Sequence, residues 1–274
     1  AFAEKEHPPS IINSYRSKDN GKTWSINEIE ILPDINGFIP SMHMNEHGLT
    51  LTKGNAKGRL IRPSRYYGKK NDKKFYNQHY TNAIYSDDGG YTWQTSDPFN
   101  AIGTGEAAIV ELNNGKLYYN SRRHFYGNGI KHRKRLSAIS DDNGKSWKNI
   151  SINNQLPDGQ RNSDYGLMAG LDRLPFENYD ILVFSNVESQ SERKNGTVWL
   201  SFDGGKSWPF KKSIDKGVFM YSSLTIGRKD SSTEGFIYLL YEFEDTINKK
   251  TGGRIARFNL SWLLDGKEIT KYLN

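Results

Sequence analysis

Short runs of β-forming residues recur along the chain, and several pass directly into a cluster of Ser, Asp, Asn, Gly and Lys. They lie at Ile11 to Arg16, Tyr80 to Tyr85, Arg135 to Ile139 and Thr197 to Leu200. Runs of this length, bounded by turn residues, predict strands of an all-β protein. Two more, Phe236 to Phe243 and Arg254 to Leu260, lie near the C-terminus without such a cluster behind them. No stretch approaches the roughly 18 to 20 apolar residues that a membrane-crossing helix needs, so a soluble chain with no membrane span is expected.

The polar clusters are copies of one pattern, Ser-x-Asp-x-Gly-x-Thr/Ser-Trp. It occurs at Ser17, Asp19, Gly21, Thr23 and Trp24; at Ser86, Asp88, Gly90, Thr92 and Trp93; at Ser140, Asp142, Gly144, Ser146 and Trp147; and at Ser201, Asp203, Gly205, Ser207 and Trp208. The chemistry of the pattern predicts a hairpin turn bolted to the core. Asp accepts backbone N–H bonds within the loop, Gly supplies the positive φ of a tight turn, and Trp re-enters the core. The tryptophans are 69, 54 and 61 residues apart. Propeller blades of four strands use roughly 40 to 50 residues, so the spacing suits blades with long connections in one continuous domain, 1–274.

Composition narrows the chemistry. The 274 residues contain no cysteine, which removes thiol nucleophiles, disulfides and thiolate metal sites. Mean hydropathy is -0.77, and the apolar content sits largely in rings: 6 Trp, 16 Tyr and 13 Phe. A net charge of +7 draws anionic partners without choosing among them. The first residues lack the basic and long apolar regions of a signal peptide.

Three motifs invite other readings. Gly-Lys-Thr or Gly-Lys-Ser at Gly21, Gly144 and Gly205 lacks the upstream glycine of a phosphate loop, which leaves turns. His43, Glu46 and His47 have the spacing of a helical zinc motif. Pro40 before them, Gly48 after them and the absence of helical periodicity favour an ordinary loop. The basic run Lys131 to Arg135, with Arg122 and Arg123 upstream, comes without a nucleic-acid-binding motif, so a solvated loop and no nucleic-acid partner are expected.

The repeated turn resembles the Asp box of sialidases, which also occurs in unrelated propellers. Segments between the boxes are more specific. Gly105-Glu106, then Ile109-Val110-Glu111-Leu112, Asn114-Gly115-Lys116-Leu117 and Asn120-Ser121-Arg122, resembles the sialidase segment carrying a catalytic glutamate and a carboxylate-binding arginine. Phe184-Ser185-Asn186 and Arg193-Lys194-Asn195-Gly196-Thr197-Val198 are similar to the segment of another such arginine. Met220-Tyr221-Ser222-Ser223-Leu224 resembles the nucleophile segment, and Leu240-Tyr241-Glu242 the strand whose glutamate steadies the family's first arginine. The resemblance runs from about Tyr80 to the C-terminus. It implies a six-bladed β-propeller, with the N-terminal blade incomplete or one blade reduced.

The residue types suit an acidic sugar. Guanidinium groups grip a carboxylate bidentately, a role for Arg122 and Arg193. A substrate carboxylate would repel an Asp or Glu nucleophile, and sialidases use tyrosine instead, here Tyr221. A phenol needs a base, Glu106, and the arginines are expected to lower its pKa. Arg123 is expected to point away from Arg122 by strand alternation.

Two departures qualify the resemblance. The family's first arginine lies upstream of a strand resembling Ala1-Phe2-Ala3-Glu4, which leaves Glu242 without its arginine. The acidic Asp of the following loop has no counterpart between Glu4 and Arg16, where Glu6 and His7 are the titratable substitutes. The resemblance implies an exported exo-α-sialidase acting on sialylated glycans or another acidic sugar. No metal or organic cofactor is needed for that chemistry. The alternatives are a non-catalytic or divergent acid-sugar-binding propeller and a protein-interaction propeller.

Overall fold

The computed structural model describes residues 13–40, 42–43, 46–66, 80–99, 101–124, 134–161, 164–176, 178–245 and 247–273. The segment Ala1 to Glu4, the substitutes Glu6 and His7, and the start of the basic run at Lys131 lie outside them. The described residues are mostly strand, arranged as antiparallel meanders in chain order. In the first meander, Met42–His43 and Leu49–Thr50 pair with opposite ends of Leu60–Tyr66, followed by Tyr80–Ser86 and Thr92–Thr95. Glu30–Leu32 adds to its outer edge in parallel. The second meander runs Thr104–Glu111, Leu117–Arg123, Lys134–Ser140 and Lys148–Pro157.

The third and fourth meanders share a strand. Gly170–Leu174, Ile181–Val187 and Lys194–Ser201 lead into Phe210–Ile226, a strand of 17 residues. Its first part pairs back onto Lys194–Ser201, and from Val218 onward it pairs with Phe236–Asp245, which is followed by Lys250–Asn259. The C-terminal run predicted through Leu260 ends one residue earlier. Asn259 caps a helical turn, Leu260–Leu263, by accepting the N–H of Trp262 at 2.9 Å.

Core packing follows strand alternation. All eight residues of Thr104–Glu111 are buried, because the strand is covered on both faces. Ala107 and Ile109 face the first meander, while Ala108 and Val110 face the third. On the next strand Tyr119 packs with Phe99 and Trp147, and its neighbour Tyr118 packs on Trp208 in the opposite cluster.

The boxes are turns, as the sequence predicts. In each, the Asp accepts the N–H and hydroxyl of the Thr or Ser four residues on, and the Ser accepts the Gly N–H at 2.8 Å. These bonds stabilise the anion, and they hold the Asp19 carboxyl down at about 2. The glycine has a second duty. A Cβ on Gly205 would stand 2.6 Å from the Tyr118 ring, and one on Gly144 2.2 Å from Ile61. Each of these boxes therefore presses against the preceding meander.

The tryptophan bolts hold for the third and fourth boxes, are half-made in the second, where Trp93 is half-buried, and fail in the first. Trp208 is 3% exposed and Trp147 is buried, but Trp24 is 62% exposed. The hairpin Asn13–Arg16 with Ser25–Glu28 forms a separate two-stranded sheet, and Trp24 folds onto its own turn, donating to the Gly21 carbonyl at 3.1 Å.

Candidate functional site

The four residues expected at the site converge at one end of the meanders, and two backbone irregularities bring them there. On Thr104–Glu111, Ala107 pairs with Ser121 and Thr104 with Arg123, so Gly105 and Glu106 together face Arg122 alone. On Phe210–Ile226, Phe219 pairs with Phe243 and Ser222 with Tyr241, so Met220 and Tyr221 face Glu242 alone. Both are bulges, which re-aim side chains beside functional sites. The arginine strand, Leu117–Arg123, is buried throughout, so an arginine on either face lies inside. Arg122 is 1% exposed and Arg123 is 8% exposed, so both are inside.

Tyr221 Oη donates to Glu106 Oε1 at 2.5 Å. Arg122 Nη1 donates to the other oxygen, Glu106 Oε2, and to Tyr221 Oη at 3.0 Å. Arg193 stands over the Tyr221 ring, 5.6 Å from its centroid, and its Nη2 donates to the Gly166 carbonyl at 3.0 Å. It is partly buried and not the solvated arginine that its polar surroundings suggest. Glu106 is likewise buried and not an exposed loop acid. Glu242 is exposed and accepts the Tyr221 backbone N–H at 3.4 Å.

Electrostatics oppose one expectation. Burial and the adjacent Glu106 charge push the Tyr221 phenol above its ordinary value, outweighing Arg122 and Arg193. Burial would also raise Glu106, but the charges of Arg122 and Arg65, with hydrogen bonds from Tyr221 and Arg122, hold it down at about 2. The shared proton therefore rests on tyrosine. The arrangement is a phenol and a carboxylate in contact, with the carboxylate restrained by arginine, the geometry by which a base activates a nucleophile.

Sequence reasoning missed the groups behind this array. Arg135, assigned above to a solvated loop, is fully buried and pairs with Asp158 at 2.9 Å. Its Nε donates to Asn120 at 2.8 Å, and Nη1 also reaches the Leu167 carbonyl at 2.8 Å. Asp158 accepts the Arg123 N–H at 3.1 Å and the Asn186 amide at 3.2 Å, which ties together two of the family-like segments. Glycines give clearance: a Cβ on Gly166 would meet Arg122 Cγ at 2.7 Å, and one on Gly196 would meet the Phe219 ring at 2.0 Å.

Glu46 belongs to a different cluster. It is buried and accepts Ser223 Oγ at 2.9 Å and pairs with His47 Nδ1 at 2.5 Å, an ion-pair loop and no helix. The His43 side chain lies outside the described residues. Among the described residues no group of His, Asp and Glu is placed to hold a metal ion, and no helix is long and apolar enough to cross a membrane.

Box-bearing meanders and an arginine-flanked Tyr–Glu pair define a BNR-repeat protein of the sialidase type. The family model described as "BNR repeat-like domain" matches residues 3–239, and the chain belongs to that family. It is 32% identical over 274 residues to a sialidase of Micromonospora viridifaciens, an alignment covering 93% of this chain and 36% of that protein. A sialidase of Vibrio cholerae is 32% identical over 205 residues, covering 65% of this chain and 25% of that one. Among solved structures, a Hadza microbial sialidase superposes with a TM-score of 0.68 at 25% identity, covering 91% of this chain and 44% of that one. The chain thus spans about a third or less of the length of these curated relatives.

Proposed function

We propose that the chain carries the catalytic centre of an exo-α-sialidase, a retaining glycoside hydrolase acting on sialylated glycans outside the cytoplasm, within a six-bladed propeller. The contact between Tyr221 Oη and Glu106, with one Arg122 nitrogen on both, carries the reading. Arg122 and Arg193 receive the carboxylate of the sugar. As that carboxylate takes up Arg122, the guanidinium loosens from Glu106, which becomes basic enough to accept the phenol proton.

Tyr221 Oη then bonds to the anomeric carbon while the bond from that carbon to the aglycone oxygen breaks. An aryl aglycone leaves as the phenolate. A natural aglycone needs a proton, for which the sequence offers Glu6 and His7. In the second step, Glu106 returns its proton to the departing tyrosine oxygen as water attacks the anomeric carbon and loses its own proton to solvent. Sialic acid is released with its configuration retained. The test is release of a fluorogenic aglycone from an α-sialoside by the full-length protein. Turnover unchanged by Tyr221→Phe rules out the nucleophile.

A further inference from the structure

No motif in the sequence singles out Arg65, yet its guanidinium lies against the residue that precedes the proposed base. It lies near the end of Leu60–Tyr66, in the meander before the one that carries Glu106, and its side chain is buried. Gly105 makes room for it: a Cβ there would stand 3.2 Å from Arg65 Nη1. Gly105 directly precedes Glu106, so Arg65 packs on the backbone that presents the carboxylate.

Glu106 therefore has two guanidinium neighbours of different kinds. Arg122 bonds Oε2 directly, from the same meander. Arg65 acts through space from the adjoining one, and its charge lowers the Glu106 pKa. Arg122 also touches the tyrosine oxygen, where an anionic substrate must arrive. A guanidinium that turns to grip an incoming carboxylate leaves Glu106 a buried acid with less compensation. Burial alone would drive it to take up a proton from solvent and lose its capacity as a base.

We infer that Arg65 is a positioning residue that keeps Glu106 anionic in the substrate complex, once the sugar carboxylate has drawn Arg122 away. This rests on the sialidase reading above. Among the described residues, the other charged or titratable groups that face Glu106 are Arg122 and Tyr221, with Arg193 beyond the tyrosine ring. Among the described residues, His124 also lies close, its Nδ1 3.9 Å from a Cβ placed on Gly105. Asp158 stands behind Arg122 and is already paired with Arg135.

The experiment is the pH dependence of kcat for a fluorogenic sialoside, measured on the wild type, Arg65→Gln and Arg65→Lys, each checked for folding by its melting transition. Activity falls as pH drops through the Glu106 pKa in the complex. Arg65→Gln should move that acid limb upward by about one unit, the low end of what a neighbouring opposite charge does to a carboxyl. KM should change less than about threefold, because Arg65 does not hold the carboxylate. Arg65→Lys should restore most of the limb. An unmoved limb in folded Arg65→Gln overturns the inference, as does a KM raised tenfold or more with the limb in place. If the wild type hydrolyses no sialoside, the functional reading fails. Arg65 is then tested alone by carbon NMR of the Glu106 carboxyl in Arg122→Gln and in Arg122→Gln/Arg65→Gln. A titration at higher pH in the double variant supports the charge effect, and equal titrations refute it.

Discussion

Replacing Asp158 by alanine should destabilise the protein more than any change at the solvent-exposed Glu242. The magnitude follows from what Asp158 leaves behind. Arg135 is fully buried, and its charge would keep only Asn120 and the Leu167 carbonyl as neutral acceptors. Removing one partner of a buried ion pair costs about 3–5 kcal/mol, because the other charge stays inside. At roughly 2–4 °C per kcal/mol for a chain of this size, the melting temperature should fall by about 10 °C. Urea unfolding of Asp158→Ala, Arg135→Met and the double variant forms the cycle. The double variant, with no stranded charge, should recover at least about 1 kcal/mol of the loss expected from adding the singles. Strictly additive losses, or a single-variant cost under about 1 kcal/mol, would refute the view that this pair anchors the strand behind Arg122.

Other outcomes are equally specific. Trp208→Ala should cost about 3–5 kcal/mol by urea unfolding, while Trp24→Ala should lie within about 0.5 kcal/mol of the wild type, since only the first is buried. Gly196→Ala forces a methyl into the Phe219 ring and should cost about 1–3 kcal/mol, with kcat reduced through displacement of the Tyr221 strand. Glu106→Gln should lower turnover of an activated aryl sialoside by roughly 10²–10⁴-fold if Glu106 is the base. Burial raises the partly buried Asp172 carboxyl to about 6. The folded state then binds the proton more tightly than the unfolded chain, so stability gained below about pH 4 is lost as pH rises through about 6. Asp172→Asn should flatten that slope by about 1–2 kcal/mol in denaturation curves taken across the window, less than the full shift implies because the carboxyl retains contact with water.

The boxes and the strands before them were legible because they are local. Ser, Asp and Gly complete their bonds within four residues, so Ser86, Asp88 and Gly90 announce their turn without help from the fold. Glu106, Arg122, Arg193 and Tyr221 could be picked out by resemblance, but the bulges that turn them toward one another leave no trace in hydrophobic alternation. Arg123, Arg135 and Asp158 were illegible for a related reason. A charged residue is read as exposed unless its partner is known, and Arg135 and Asp158 lie 23 residues apart on segments brought together only by packing. Arg65 meets the Gly105 position from the adjoining meander, and Gly105 reads as nothing more than a small residue in a loop. The exposed Trp24 shows the converse, since an identical local pattern cannot say whether anything lies behind it to be bolted.

The shared strand Phe210–Ile226 makes two meanders one mechanical part. Its beginning belongs to the meander that holds Arg193 and its end to the one that presents Tyr221, with no loop between them to absorb a displacement. The strand pairs along its length within one six-stranded sheet, so a tilt of its first half carries the second with it, and Arg193 and Tyr221 shift together. A hinge inserted at Lys216-Gly217 would cut this tie without touching either group.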